Sequence, residues 1–221
     1  MQNPAAESLP TRGEEWANIL THGFGLIAAV TATTLLLVFA GLDGEPWRIV
    51  TLGVFGAALI GVYGISTAYH LAQHPGRKRR LRQLDHAAIF LLIAGTYTPL
   101  LLVTIGGGWG WSLFGIVWAM AAAGLTLKLV CFERFGWTQL GLKLAMGWLL
   151  VVAIGPVLAA MTTPGLIWVA AGGLCYTGGV AFFLWEKLKY NHAVWHLFVL
   201  AGSTCHVMAM VTDVLPPRPM G

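Results

Sequence analysis

Charge is scarce in this chain. Only 10% of its 221 residues are Asp, Glu, Lys or Arg, against roughly 25% in a soluble domain. Set beside 57% hydrophobic residues and a mean hydropathy of +0.73, that shortage excludes a water-soluble globule and points to a polytopic membrane protein. Cysteine is also scarce. The three present, Cys131, Cys175 and Cys205, are too scattered for a disulfide framework or a Cys-based metal motif. Period-two alternation is missing from the apolar runs, which excludes the strands of a membrane barrel. The first fifteen residues, MQNPAAESLPTRGEE, hold no apolar core and carry three glutamates. No cleavable signal peptide is expected, and the first apolar run should stay as a membrane helix. The net charge of +4 does not form a face for nucleic acid, because five of the thirteen Lys and Arg sit in the single run GRKRRLR. In a membrane protein such a run sets orientation and meets anionic lipid headgroups.

Seven apolar segments are present, at Trp16–Ala40, Trp47–Leu71, Asp85–Ile105, Trp109–Val130, Leu140–Met161, Pro164–Leu184 and His192–Val211. Each holds about 20 residues, enough to cross about 30 Å of hydrocarbon at 1.5 Å per residue. The expected fold is therefore all-α, a polytopic seven-transmembrane-helix bundle. Residues 1–15 are read as a short tail, 16–213 as the membrane domain and 214–221 as a second short tail. The odd-numbered connections, GLDGEP, GGG and TTPG, have the Gly, Pro and Asp of turns. The even-numbered ones are basic. With the N-terminal tail they gather Arg12, Arg77, Lys78, Arg79, Arg80, Arg82, Lys128, Arg134, Lys143, Lys187 and Lys189, leaving only Arg48 and Arg218 on the other side. The positive-inside rule then places the N-terminus in the cytoplasm and the C-terminus outside. Tryptophans near segment ends, Trp16, Trp47, Trp109 and Trp185, suit an aromatic belt. Glycines such as Gly53, Gly56, Gly172 and Gly173 suit close helix packing.

Ionisable groups inside membrane segments are rare and mark function. Here they share a depth. Glu15 and His22 lie in the cytoplasmic half of segment 1, and His70 ends segment 2 on that side. Asp85 opens segment 3, and His192 and His196 open segment 7. His192 and His196 are four apart, on one helix face, so they can chelate one ion. Ser66 lies one turn deeper than His70 on the same face. His206 is about 15 Å beyond His196 along the axis, out of reach of that ion, and reads as a buried hydrogen-bonding residue. His74 and His86 read as interfacial or solvated. Three imidazoles with a carboxylate nearby suit Zn2+ with an open position for water, whose acidification makes hydroxide available at neutral pH. Asp85 is read as a fourth ligand or, preferably, as the group that holds and deprotonates that water. It could also N-cap segment 3. Ser66 is read as an oxyanion donor or as a packing serine bonded back to its own helix. Glu15, Asn18 and His22 are read as supports around the ligands.

Four stretches carry a resemblance: Glu15-Trp-Ala-Asn18-Ile-Leu-Thr-His22, Ser66-Thr-Ala-Tyr-His70, Leu84-Asp85-His86 through AGTYTP, and His192-Ala-Val-Trp-His196. In that order, spanning nearly the whole chain, they resemble the hemolysin III branch of the progestin and adipoQ receptor family. The resemblance implies a seven-helix bundle with a cytoplasmic N-terminus, zinc on His70, His192 and His196, and Asp85 facing the metal's water, with Ser66 as the matching serine. It also implies kinship with lipid-amide hydrolases such as alkaline ceramidases. The receptors carry a long cytoplasmic domain ahead of the bundle, and none is seen here, so a receptor role is not expected. The expected function is an inner-membrane zinc-dependent hydrolase of a lipid amide or ester, with membrane lipids as partners and no nucleic acid. The alternatives are a non-catalytic, zinc-stapled protein of membrane homeostasis or sensing, and a haemolysin-like membrane-active protein.

Overall fold

A computed structural model describes residues 10–130 and 136–216. Cys131, Arg134 and Arg218 lie outside the described residues, as do residues 1–9 and 217–221 of the two expected tails. Seven helices are long and apolar enough to cross a membrane: α1 Arg12–Asp43, α2 Pro46–Leu71, α3 Pro75–Ile105, α4 Gly107–Val130, α5 Gly136–Ala160, α6 Thr163–Leu184 and α7 Asn191–Val214. No strand occurs among the described residues.

Local chemistry sets the helix ends. Thr11 and Glu14 form a capping box at the start of α1, and Glu45 accepts from the Trp47 and Arg48 amides at the start of α2. Thr162 caps α6. The helices start earlier than hydropathy suggests, and in two cases the local cause is plain. The first helix begins at Arg12 rather than Trp16, because the box captures the orphan amides of the first turn. The third begins at Pro75 rather than Asp85, because Pro suits a first helical position and the Arg, Lys, Leu and Gln after it are good helix formers. Hydropathy marks where a helix enters the apolar layer, not where it starts. Asp85 therefore lies within the helix, some three turns from its beginning, and does not N-cap it.

Helices α1, α2, α3 and α4 pack in sequence, α7 packs on α1 and α6, and α5 leans on α3 and α4. The most deeply buried of the seven is α3. Because the chain alternates direction, one end of the bundle collects the starts of α1, α3, α5 and α7 and the ends of α2, α4 and α6. This end holds every described Lys and Arg except Arg48 and is called the basic end below. At the opposite end, Asp213 of α7 accepts from the Thr162 amide at 2.7 Å and from the Thr162 hydroxyl at 3.1 Å. Arg48 pairs there with Asp43 and donates to the Leu215 carbonyl at 3.3 Å.

Some glycines mark close approaches. Added methyls at Gly56 and Gly172 would strike Thr33 and the His206 ring, whereas Gly53 faces open space. A methyl at Gly110 would run into the Leu101 carbonyl, where the start of α4 turns back on the end of α3. Overpacking of this kind costs about 1–3 kcal/mol. Gly110→Ala is expected to lower the melting temperature in detergent, while Gly115→Ala on the same helix, with nothing nearby, leaves it unchanged or higher; thermal unfolding of the two variants checks this.

Candidate metal centre

The end of α2 and the start of α7 meet at the basic end. One ring nitrogen from each of His70, His192 and His196 lies within 4.8 Å of the other two. Ring centroids are 5.3 Å apart for His70 and His192, 5.3 Å for His70 and His196, and 4.5 Å for His192 and His196. The last pair follows from their spacing of one helical turn. His70 and His196 are buried and His192 is half-buried. The Nε2 atoms of His70 and His192 are enclosed and have no hydrogen-bond partner among the described residues. Leaving such a group unmade costs about 1–3 kcal/mol, and coordination would remove that cost.

For His70 and His196 the other ring nitrogen is engaged, and its partner sets the tautomer. Glu15 Oε2 lies 2.8 Å from His70 Nδ1. A carboxylate only accepts, so Nδ1 carries the proton and Nε2 keeps a free lone pair. Lys78 pairs with the other Glu15 oxygen, so α3 holds the carboxylate in turn. His196 Nδ1 lies 3.1 Å from Thr21 Oγ1. The Thr21 hydroxyl already donates to the Ala17 carbonyl at 2.8 Å, with the Asn18 carbonyl at 3.0 Å. It must therefore accept from His196 Nδ1, again leaving Nε2 free. Thr21 sits inside the first quoted stretch, and its spacing of three from Asn18 was the available signal. Lys78 was hidden by the reading of its run as a loop.

Of the other expected supports, His22 stacks on His196 with centroids 3.4 Å apart and an interplanar angle of 16°. It meets Tyr63 edge-on at 5.0 Å. Neither of its ring nitrogens has a hydrogen-bond partner, and the same is true of Asn18 Oδ1. Both residues are buried beside the cluster. The turn before α7 is set by Tyr190 in the left-handed region (φ 59°), whose amide donates to Glu14 at 3.1 Å. That bond anchors the approach to His192 on α1.

Asp85 is buried at 8% exposure and is not one of the converging ligands. It lines a cavity of about 560 Å³ together with His22, His192 and His196. Ser66 approaches Asp85 from α2, yet its Oγ makes no hydrogen bond, so it is not bonded back to its own helix. His86 is not simply solvated: it is half-buried in the cavity wall and stands 6.3 Å from the Phe183 ring. Its helix begins before the membrane layer, which carries it inward. His206 lines the cavity's deeper part, stacked on Tyr176 at 5.4 Å, and its Nδ1 has no partner. The hydrogen bonds there belong to Ser203 instead, which meets Tyr63 at 2.9 Å and Tyr176 at 3.0 Å.

The family described as "Haemolysin-III related" matches residues 11–207. The chain belongs to that family. "Hemolysin-3" of Bacillus cereus is 42% identical over 203 residues, covering 92% of this chain and 93% of that protein. "Hemolysin-3 homolog" of Bacillus subtilis is 40% identical over 190 residues, covering 86% and 89%. A mammalian relative, "Monocyte to macrophage differentiation factor" of Homo sapiens, is 30% identical over 209 residues, covering 91% and 84%. The haemolysin III resemblance is thus confirmed, and the chain is a multi-pass membrane protein. Seven apolar helices with bacterial relatives of this kind fit an inner membrane, since helical spans belong there rather than in an outer membrane of barrels.

The cluster could hold a divalent metal. Metal analysis of the purified protein is expected to find one ion per chain, and loss of that ion in His70→Ala, His192→Ala and His196→Ala. Partners behind metal-bound histidines are worth about 10–100-fold in affinity. Glu15→Gln and Thr21→Val should weaken binding by that order in chelator competition, without removing the site.

Proposed function

We propose that this haemolysin III protein is an integral membrane zinc-dependent hydrolase that cleaves an amide or ester bond of a membrane lipid. One observation carries the reading: two members of the three-histidine cluster, His192 and His196, and a carboxylate outside it, the buried Asp85, line one largely apolar cavity. The donor set suits zinc. Zinc–imidazole bonds of about 2.0–2.1 Å in a tetrahedral site put ligand nitrogens about 3.4 Å apart, a modest closure from the 4.8 Å envelope of the cluster. When bound, zinc supplies Lewis acidity toward a carbonyl oxygen and makes a water more acidic.

The chain's own residues do the rest. Glu15 and Thr21 orient His70 and His196 and hold their Nε2 atoms toward the ligand position. Asp85, clear of the ligand set, accepts a proton from the attacking water and returns it to the leaving amine or alkoxide. Ser66 Oγ, buried and unpaired, is free to donate to the oxyanion. His22 covers one face of His196 and keeps bulk water from it. The cavity reaches the bundle surface at Trp148 and Leu184, between α5 and α6. An acyl chain can enter there from the bilayer. With the basic end in the cytoplasm, the scissile bond lies just inside the inner leaflet's headgroups.

A second reading has its own support, because the cluster joins four helices through Glu15 and Thr21 of α1, His70 of α2, Lys78 of α3 and the histidines of α7. A zinc ion there would staple the basic end without turnover. The two readings part at Asp85. Asp85→Asn is expected to retain zinc and melting temperature and to lose hydrolysis by about 10²-fold or more, while His196→Ala loses both zinc and hydrolysis. Zinc content and release of fatty acid from a panel of lipid amides and esters measure this. Full turnover by the metal-free His196→Ala protein would end the hydrolase reading.

A further inference from the structure

At the basic end, the cavity is rimmed by cations from three helices: Arg82 of α3, Lys128 of α4 and Lys143 of α5. They form one electrostatic group. Asp85 has Lys143, Lys128 and Arg82 as its charged neighbours, and Lys143 has Lys128 and Asp85 as its own. Lys128 is only 7% exposed. Among the described residues, Lys143 makes no hydrogen bond or ion pair; its ammonium rests over the Phe90 ring at 5.0 Å and fronts the cavity. The hydrolytic chemistry above uses neutral imidazoles and one carboxylate and has no need of three cations. Ammonium and guanidinium groups held inside a membrane bundle are costly and mark ligand or ion pathways. Below this rim the wall turns apolar, with Ile89, Ile93, Leu144 and Val180.

We infer that Arg82, Lys128 and Lys143 form a headgroup subsite for the phosphate of an anionic phospholipid, whose acyl chain follows the apolar wall and leaves between α5 and α6. Donors on three separate helices suit a phosphate, whose charge is spread over several oxygens in different directions. A lone carboxylate would be served by one fork. The position matches as well, since Arg82 and Lys143 lie about two turns from the starts of α3 and α5 and Lys128 lies in the last turn of α4, toward the end of the bundle where a lipid headgroup would stand. A phosphate held there leaves the ester carbonyls a few atoms further along, between the rim and the histidines. This names the substrate class of the proposed hydrolase and rests on that reading for turnover, but not for binding.

The test uses the full chain in detergent with its metal, titrated separately with short-chain phosphatidylglycerol, phosphatidylcholine and diacylglycerol of the same acyl length, and with inorganic phosphate alone. Phosphatidylglycerol is expected to bind at least about tenfold more tightly than the other three. Lys143→Met should remove that preference while leaving diacylglycerol binding unchanged, which shows the variant is folded, and Lys143→Arg should keep it. Equal binding of phosphatidylglycerol and diacylglycerol overturns the inference, as does a preference that survives in both Lys143→Met and Lys128→Met. Free phosphate binding as tightly as phosphatidylglycerol would assign the rim to a soluble anion and also overturn it. The metal-free His196→Ala protein separates the two readings. It should keep the phosphatidylglycerol preference. A preference without turnover in the intact protein defeats the hydrolase and spares the subsite, and turnover of neutral lipids without a preference does the reverse.

Discussion

A histidine used as a ligand inside a bundle must have one nitrogen engaged and the other free, and Glu15 is where this arrangement begins. Its carboxylate accepts a hydrogen bond from His70 Nδ1 at 2.8 Å and pairs with Lys78 through its other oxygen. A carboxylate near the hydrocarbon boundary is itself expensive, so it needs the ammonium that α3 supplies. Lys78 reaches it only because α3 continues as a helix through the basic run. The basic run between α2 and the apolar part of α3 therefore also supplies the charge that neutralises the carboxylate holding His70. Thr21 gives His196 a matching arrangement without charge, since its own proton is committed to α1 carbonyls. Four helices are tied together by these few polar contacts.

The seven spans were legible because lipid leaves few options: a long apolar stretch must satisfy its own backbone and so must be helical. The meeting of His70, His192 and His196 was legible for a related reason, since alternating spans return their ends to the same two layers. The helix starts were less so. Hydropathy sees burial in lipid, whereas Thr11 and Pro75 act through backbone amides. The misplaced start of α3 made Asp85 look like a cap and Lys78 like a loop residue. Thr21 was passed over because a threonine in a membrane helix usually bonds its own turn, as this one also does. His86 was misjudged for want of the cavity. Empty space between helices leaves no periodic mark in a sequence.

Residues from two interruptions of helical regularity line that cavity. Pro99, which has no amide proton, precedes a π turn at Leu100–Ile105 in α3. Across from it, α5 breaks after Gly147 into a 3₁₀ stretch at Leu149–Ala153, shortly before Pro156. A broken helix in a bilayer needs protein partners for the freed backbone groups. Tyr97 supplies them: its hydroxyl donates to the Gly147 carbonyl at 2.8 Å and accepts from the Leu150 amide at 3.4 Å. One side chain of α3 thus stitches the break in α5 and holds that helix against α3 and α4. Toward α6, Trp148 of α5 donates to Thr177 Oγ1 at 3.1 Å. Trp148 is also 40% exposed. The Tyr97 stitch, by contrast, is buried. The break in α5 is thus secured from the α3 side by an enclosed hydroxyl, while its contact with α6 lies at the bundle surface, on the side where the proposed acyl path opens.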